Sequence, residues 1–409
     1  MNHSTLRNLP AGARSVLGAL ALAAAVSACG GGGNGGAVTP VVRTIALSKS
    51  GSGELLPGGA VSLTATPDVA STVSWSVDSG PGTLSAANGA TVSYTPPTAA
   101  VAAPTSVVVT ARAGDTSQSM TLTLYPDPGA PGLSLVAGNV NDDGLSWNPQ
   151  TIVEKDGLGT AAIFGRPRVL GGDSAGNLYV IDYATVIYDL HSSGAVELVL
   201  RKVSPGGAVS TLVHDTSETA QPNSMAVDKA GNIYIASQPL DDSRGPRALG
   251  GDIRKVTPGG AISVFAGNVA SNVSRDGSGT AAGFTGPALA GIDGDGNLYV
   301  NDADGSAAGK ITLRKVTPQG VVSTISALPA GLGQAPDGYT YGVDTNQAIA
   351  FRIAADGSRS VLAGVAGKQG TVLGALPGGL LYPRGVVRTG PASLAVLSGS
   401  GIVKVVLAH

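Results

Sequence analysis

Between residues 41 and 125 apolar and polar residues alternate in six short runs: VVRTIALS (41–48), AVSLTATP (60–67), TVSWSVD (72–78), ATVSYTP (90–96), TSVVVTAR (105–112) and SMTLTLY (119–125). Clusters of Gly, Pro, Asp and Asn separate them. A period of two is that of a half-buried strand, and breakers at this spacing predict two antiparallel sheets packed face to face. In TVSWSVD the alternation sends Val73, Trp75 and Val77 to one face and Ser74, Ser76 and Asp78 to the other. Trp75 is therefore expected in the core between the sheets. The proline-rich stretch that follows supplies a semi-rigid hinge over residues 127–132.

Beyond the hinge the chain repeats itself. Asp173-Ser-Ala-Gly-Asn177-Leu-Tyr-Val-Ile-Asp182 recurs as Asp228-Lys-Ala-Gly-Asn232-Ile-Tyr-Ile-Ala-Ser237 and as Asp293-Gly-Asp-Gly-Asn297-Leu-Tyr-Val-Asn-Asp302. Each copy is followed by an Arg-Lys-Val-Ser/Thr-Pro sequence at Arg201, Arg254 or Arg314, and then by a β-branched run. A further element, Asp156-Gly-Leu-Gly-Thr-Ala-Ala-Ile-Phe164, matches Asp276-Gly-Ser-Gly-Thr-Ala-Ala-Gly-Phe284. The Asp…Gly-Asn segment suits a tight turn between strands, and a period of this size signals a propeller or array.

These residues resemble the NHL repeat, whose units are the four-stranded blades of a β-propeller. The resemblance implies an all-β chain in which residues 133–409 form the propeller. Residues 41–126 resemble, by pattern, bacterial immunoglobulin-like modules. Two weaker units, Pro329 to Gly364 and Pro383 to His409, bring the recognisable blades to five, and a sixth has room in 139–165 or 182–200. The last unit stops one strand short. Leu133-Ser-Leu-Val-Ala-Gly138 matches the outer strand Ile262-Ser-Val-Phe-Ala-Gly267, so residues 133–138 are expected to pair with 401–408 and close the ring. Residues 183–198 read as a lengthened hairpin at the rim.

The N-terminal segment changes the picture of where this fold works. Arg7 and Arg14 precede the apolar run Val16 to Val26, which is too short to span a bilayer, and Ser27-Ala28-Cys29 follows. Val26 to Cys29 resemble the bacterial lipobox, which implies that residues 1–28 are a cleaved signal and that Cys29 carries lipid. Gly30 to Gly36 then act as a flexible leash within a 29–40 linker. Gly30 after the lipidated residue implies the outer membrane in a cell that has one. Cys29 is the one cysteine in the chain, so no disulfide contributes and a large core must hold the fold.

Composition and chemistry narrow the function by exclusion. Charged residues make up 13% of the chain and the net charge is −2, which argues against a nucleic-acid partner. Outside the signal, histidine occurs only at His191, His214 and His409, too scattered for a zinc site. The lyases that resemble NHL proteins use several histidines and are not supported. Calcium-dependent lactonase-like propellers need acidic and amide ligands on inner strands. In the candidate inner strands here, Asn223 is the one amide, there is no Glu, and Arg168, Arg384 and Arg388 are placed to line the channel. Asp293, Asp295 and Asn297 have the spacing of a calcium loop, but the matching turns DSAGN and DKAGN lack the middle Asp, which favours a repeat turn.

The expectation is thus a lipid-anchored, non-catalytic propeller on an immunoglobulin-like stalk, with no cofactor. It would act as a monomer that binds an extracellular or periplasmic protein, glycan or small ligand. The candidate binding face carries the ends of the second strands, Asp182, Ser237 and Asp302, with Asn223 and the three arginines nearby. The alternative is a propeller hydrolase or lactonase acting on a small extracellular substrate.

Overall fold

The computed structural model describes residues 41–51, 53–143, 154–182, 198–215, 220–239, 250–303 and 309–408. The signal segment, Cys29, the glycine leash and nearly all of the 183–198 hairpin lie outside the described residues, as do His191 and His409. Within the described residues the chain is all-β and built of several mainly antiparallel sheets. The described residues contain no α-helix, and none of their helical turns is long and apolar enough to cross a membrane. Residues Val42–His409 form one compact unit.

Two four-stranded sheets make up the first part. One orders Ile45–Lys49, Val61–Pro67, Thr91–Thr95 and Thr83–Leu84; the other orders Glu54–Leu55, Thr116–Leu124, Thr105–Ala113 and Ser74–Ser79. Their inner faces bury Leu63, Tyr94, Val107, Val109 and Leu122 around Trp75, which is 5% exposed. The Trp75 indole N–H donates to the Gly89 carbonyl at 2.9 Å, so its polar edge is satisfied inside the core.

Five further sheets follow. The first holds Pro167–Gly172, Leu178–Asp182, Leu198–Val203 and Ala208–Asp215, with Gly157–Leu158 added at its outer edge. The second holds Ala220–Val227, Ile233–Pro239, Asp252–Val256 and Ile262–Gly267. The third holds Pro287–Ile292, Leu298–Ala303, Ile311–Val316 and Val321–Thr324, again with an added edge at Gly277–Ser278. The fourth has three strands, Thr340–Asp344, Ile349–Ile353 and Arg359–Ala363. The fifth orders Gly385–Gly390, Ser393–Ser398, Ser400–Val406 and Gly132–Asn139. In it Ile402 faces Ala137 and Val405 faces Leu133, so a strand from the start of the region completes the sheet at its end.

Apolar cores lie between neighbouring sheets. Tyr179, Ile181, Leu198 and Leu200 of the first sheet pack on Ile233, Ile235 and Val256 of the second. Tyr234, Ala236 and Ile253 of the second pack on Leu298, Val300 and Val316 of the third. Ala395, Leu397 and Ile402 of the fifth pack on Leu178, Val180 and Val203 of the first. Burying a side chain of this kind contributes roughly 1.5–3 kcal/mol, so these strips hold the array together without disulfides. The fourth sheet has no strand before its Asp337 turn, and Leu332 from the preceding segment lies beside Gly291 of the third sheet instead.

Candidate functional site

The repeat signature builds the same turn three times. Asp173 Oδ1 accepts the backbone N–H groups of Ala175 and Asn177 at 3.0 and 2.9 Å, while Oδ2 accepts Asn177 Nδ2 and the Tyr179 hydroxyl at 2.8 and 3.0 Å. Asp228 does the same with Asn232 and Tyr234. Asp293 does so with Asp295, Asn297 and Tyr299. Burial and the neighbouring Asp228 carboxylate push the Tyr234 hydroxyl up to about 12. The Asp293 carboxylate therefore meets four donors, and Asn297 turns its amide N–H₂ toward it, the arrangement of a turn and not of a cation cage. No group of three metal-ligating side chains occurs among the described residues.

The ends of the second strands are buried, not presented to solvent. Asp182 is fully enclosed and accepts the backbone N–H groups of Gly165 and Arg166 at 2.9 and 2.7 Å. Burial drives its carboxyl up to about 7. Asp302, also buried, accepts Thr285 and Gly286 N–H at 2.8 and 2.9 Å. Both carboxylates fasten the segment that leads into the inner strand of their own sheet. Ser237 is buried at the corresponding position in the second sheet.

The Arg of each Arg-Lys pair serves the same architecture. Arg201 and Arg314 are buried, and each guanidinium lies over a phenylalanine ring, Phe164 at 5.6 Å and Phe284 at 5.4 Å. Their Nη2 groups donate to Asp156 at 2.8 Å and Asp276 at 2.7 Å, the aspartates that open the DGxGTAAxF elements. Arg254 pairs with Asp252 and Asp215. Asn223 joins the second sheet to the third through Nδ2, which donates to the Pro287 carbonyl at 2.9 Å.

Of the three arginines expected in the channel, Arg388 goes elsewhere while Arg384 and Arg168 repel one another. Arg384 donates to the carbonyls of Gly399 and Asp143 at 3.2 and 2.8 Å. Burial and repulsion from Arg168 lower its pKa. Arg388 instead meets the sandwich: Nη1 and Nη2 donate to the two oxygens of Glu54 at 3.0 and 2.7 Å, and Nε donates to Asp337 at 3.0 Å. Tyr125 and Tyr341 add hydroxyl bonds to Glu54 and Asp337. Burial opposes the charge on Arg388, but the Glu54 and Asp337 carboxylates outweigh it and raise its pKa. Burial and Glu54 push the Tyr125 hydroxyl up to about 12.

Beside this clamp lies a cleft of about 200 Å³. Ala103, Pro104 and Tyr125 form one wall, and Pro205, Pro391 and Leu394 belong to the other. Lys404 supplies a cation at its edge, held by the Pro128 carbonyl at 3.0 Å. The lining is mostly apolar with a few polar groups, the usual character of a small-ligand site. It contains none of the candidate binding residues, because it forms where the sandwich meets the first and fifth repeat sheets.

No protein-family model matches the chain, and no curated protein matches it. Among solved structures it is similar to an auxiliary nutrient binding protein from Bacteroides thetaiotaomicron, at 13% identity and a TM-score of 0.33, over 88% of this chain and 85% of that one. It is similar to a luciferin-regenerating enzyme at 12% identity and a TM-score of 0.28, over 59% of this chain and 91% of that one. A quinonprotein alcohol dehydrogenase-like protein from Bacteroides thetaiotaomicron matches at 12% identity and a TM-score of 0.20, over 86% and 93%. Likenesses of this size carry no argument about function.

Proposed function

We propose that this chain is a lipid-anchored envelope protein whose NHL-type propeller binds a ligand without catalysing a reaction, carried on an immunoglobulin-like stalk. In this reading the five repeat sheets are the blades of one ring, and the strand Gly132–Asn139 closes it against Ser400–Val406. Cys29 bears the lipid and holds the protein to the outer membrane of a cell that has one, each buried CH₂ contributing about 0.8 kcal/mol. The domains run 1–28, 29–40, 41–126, 127–132 and 133–409.

The observation that carries the binding reading is the commitment of the polar side chains. Asp182, Asp302, Arg201 and Arg314 are engaged within the repeat sheets, whereas a cleft lined by Pro104, Pro205, Pro391 and Lys404 stays open among the described residues. Such a site favours a small apolar ligand with an anionic or hydroxyl edge, of glycan, peptide or metabolite origin. The hydrolase alternative needs clustered metal-binding carboxylates, which the described residues do not assemble. A screen of esters and lactones with added calcium, magnesium, manganese and zinc is expected to show no turnover by the full chain. Metal-dependent turnover would overturn the reading. For the anchor, Cys29→Ala is expected to move the protein from the membrane to the soluble fraction; continued membrane fractionation would contradict it.

A further inference from the structure

The floor of the cleft is apolar. Leu178 and Ala395 line it and belong to the core between the first and fifth repeat sheets, and Val136 packs against them. Lys404 stands opposite Ala395 in the strand register, so both side chains leave the same face of the fifth sheet. The lysine stem thus runs beside apolar surface, and its ammonium comes to the cleft edge, where it donates to the Pro128 carbonyl at 3.0 Å.

The polar side chains of the lining do not offer donors and acceptors equally. Tyr125 gives its hydroxyl proton to Glu54, and Thr389 gives its own to Ser393. Ser393 accepts from Thr389 and Ser204 accepts the Ala208 N–H, which leaves each of these serines a hydroxyl proton to donate. An ammonium carries three N–H donors, and the Pro128 carbonyl takes one from Lys404. Among the described residues no carboxylate forms an ion pair with Lys404. The one acid in the lining, Asp127, is exposed and accepts the Gly129 N–H at 2.8 Å. The cleft therefore sets a cation and hydroxyl protons against apolar walls, and a ligand that fills it has to bring acceptors.

Building on the binding function proposed above, we propose that the ligand of this cleft is an apolar carboxylate. Its carboxylate meets the Lys404 ammonium, and its apolar body covers Val136, Leu178 and Ala395 opposite the wall of Ala103 and Pro104. Hydrogen bonds between ionised partners are roughly twice as strong as neutral ones, and beside apolar surface the attraction is screened less than in water. A neutral ligand of the same shape leaves the ammonium protons unmet. A cationic one sets its charge against Lys404.

Calorimetric titration of the full chain with octanoate, octanol and octylammonium tests this. Octanoate is expected to bind the wild type about tenfold more tightly than octanol, with octylammonium the weakest. Lys404→Met is expected to abolish that preference while leaving the affinity for octanol unchanged, and Lys404→Arg is expected to keep it. Ala103→Trp, which fills the opening, is expected to lose both ligands. Octanoate bound by the wild type no more tightly than octanol, or not at all, would overturn the carboxylate, as would a preference that survives Lys404→Met. Octanol that binds without such a preference and is lost in Ala103→Trp would leave the cleft as the binding site and remove only its ligand class. Probes bound alike by the wild type and Ala103→Trp would overturn the cleft as well. The wild-type preference needs no variant, so it decides even where Lys404→Met does not fold.

Discussion

Replacing Arg388 by Met tests how the sandwich and the repeat sheets are joined. Glu54 and Arg388 are separated by 334 residues, yet their side chains meet in a two-bond contact and are only 8% and 10% exposed. Arg388→Met keeps the volume of the stem and removes the guanidinium. Glu54 then keeps the Tyr125 hydroxyl as a donor but loses both guanidinium bonds, and Asp337 keeps the Tyr341 hydroxyl and the Tyr339 N–H. Removing one partner of a buried pair costs about 3–5 kcal/mol, because the remaining charge is stranded. Asp337 is 24% exposed and recovers hydration, so the lower figure applies, about 3 kcal/mol. With a urea slope of about 3 kcal/mol per M, the midpoint should fall by about 1 M. Glu54→Gln added to Arg388→Met should restore most of the loss, since the stranded charge is gone. A loss below about 1 kcal/mol, the range of a surface pair, would refute the reasoning, as would a double variant no more stable than the single one.

Other consequences follow from the repeat architecture. Phe284→Ala should destabilise the third sheet by about 3–5 kcal/mol in chemical unfolding, since the ring is fully buried and carries Arg314. Asp293→Ala should cost about 1–3 kcal/mol through the unmade bonds of its turn. Adding calcium or a chelator to the wild type should leave its melting temperature unchanged; a calcium-dependent rise lost in Asp293→Ala would make that turn a metal site.

Much of the repeat region is legible because its signals are local. Asp173, Gly176, Asn177 and Tyr179 specify their turn through contacts no more than six residues apart. The alternation around Trp75 likewise reports the inner face of its strand, which the buried Val73 and Trp75 bear out. The candidate site is another matter. Asp182 and Asp302 recur at strand ends, which reads equally as a binding face or as a fastening for the backbone. The structure shows the second, through Gly165, Arg166, Thr285 and Gly286. Nothing near Arg388 in sequence announces Glu54, so its place in the channel and its place in the clamp look the same from the chain alone. The cleft has no sequence signature because three separate parts of the chain build it.

The central claim is that this protein binds a ligand in the cleft between the sandwich and the repeat sheets. Ala103 is exposed at the cleft wall, so Ala103→Trp fills the opening without disturbing a core. Immobilised wild-type and Ala103→Trp chains, matched in melting temperature, should be exposed to the same envelope extract and their bound small molecules eluted and compared by mass spectrometry. The account predicts a species retained by the wild type and lost from Ala103→Trp. A species retained equally by both would place the site elsewhere and contradict it.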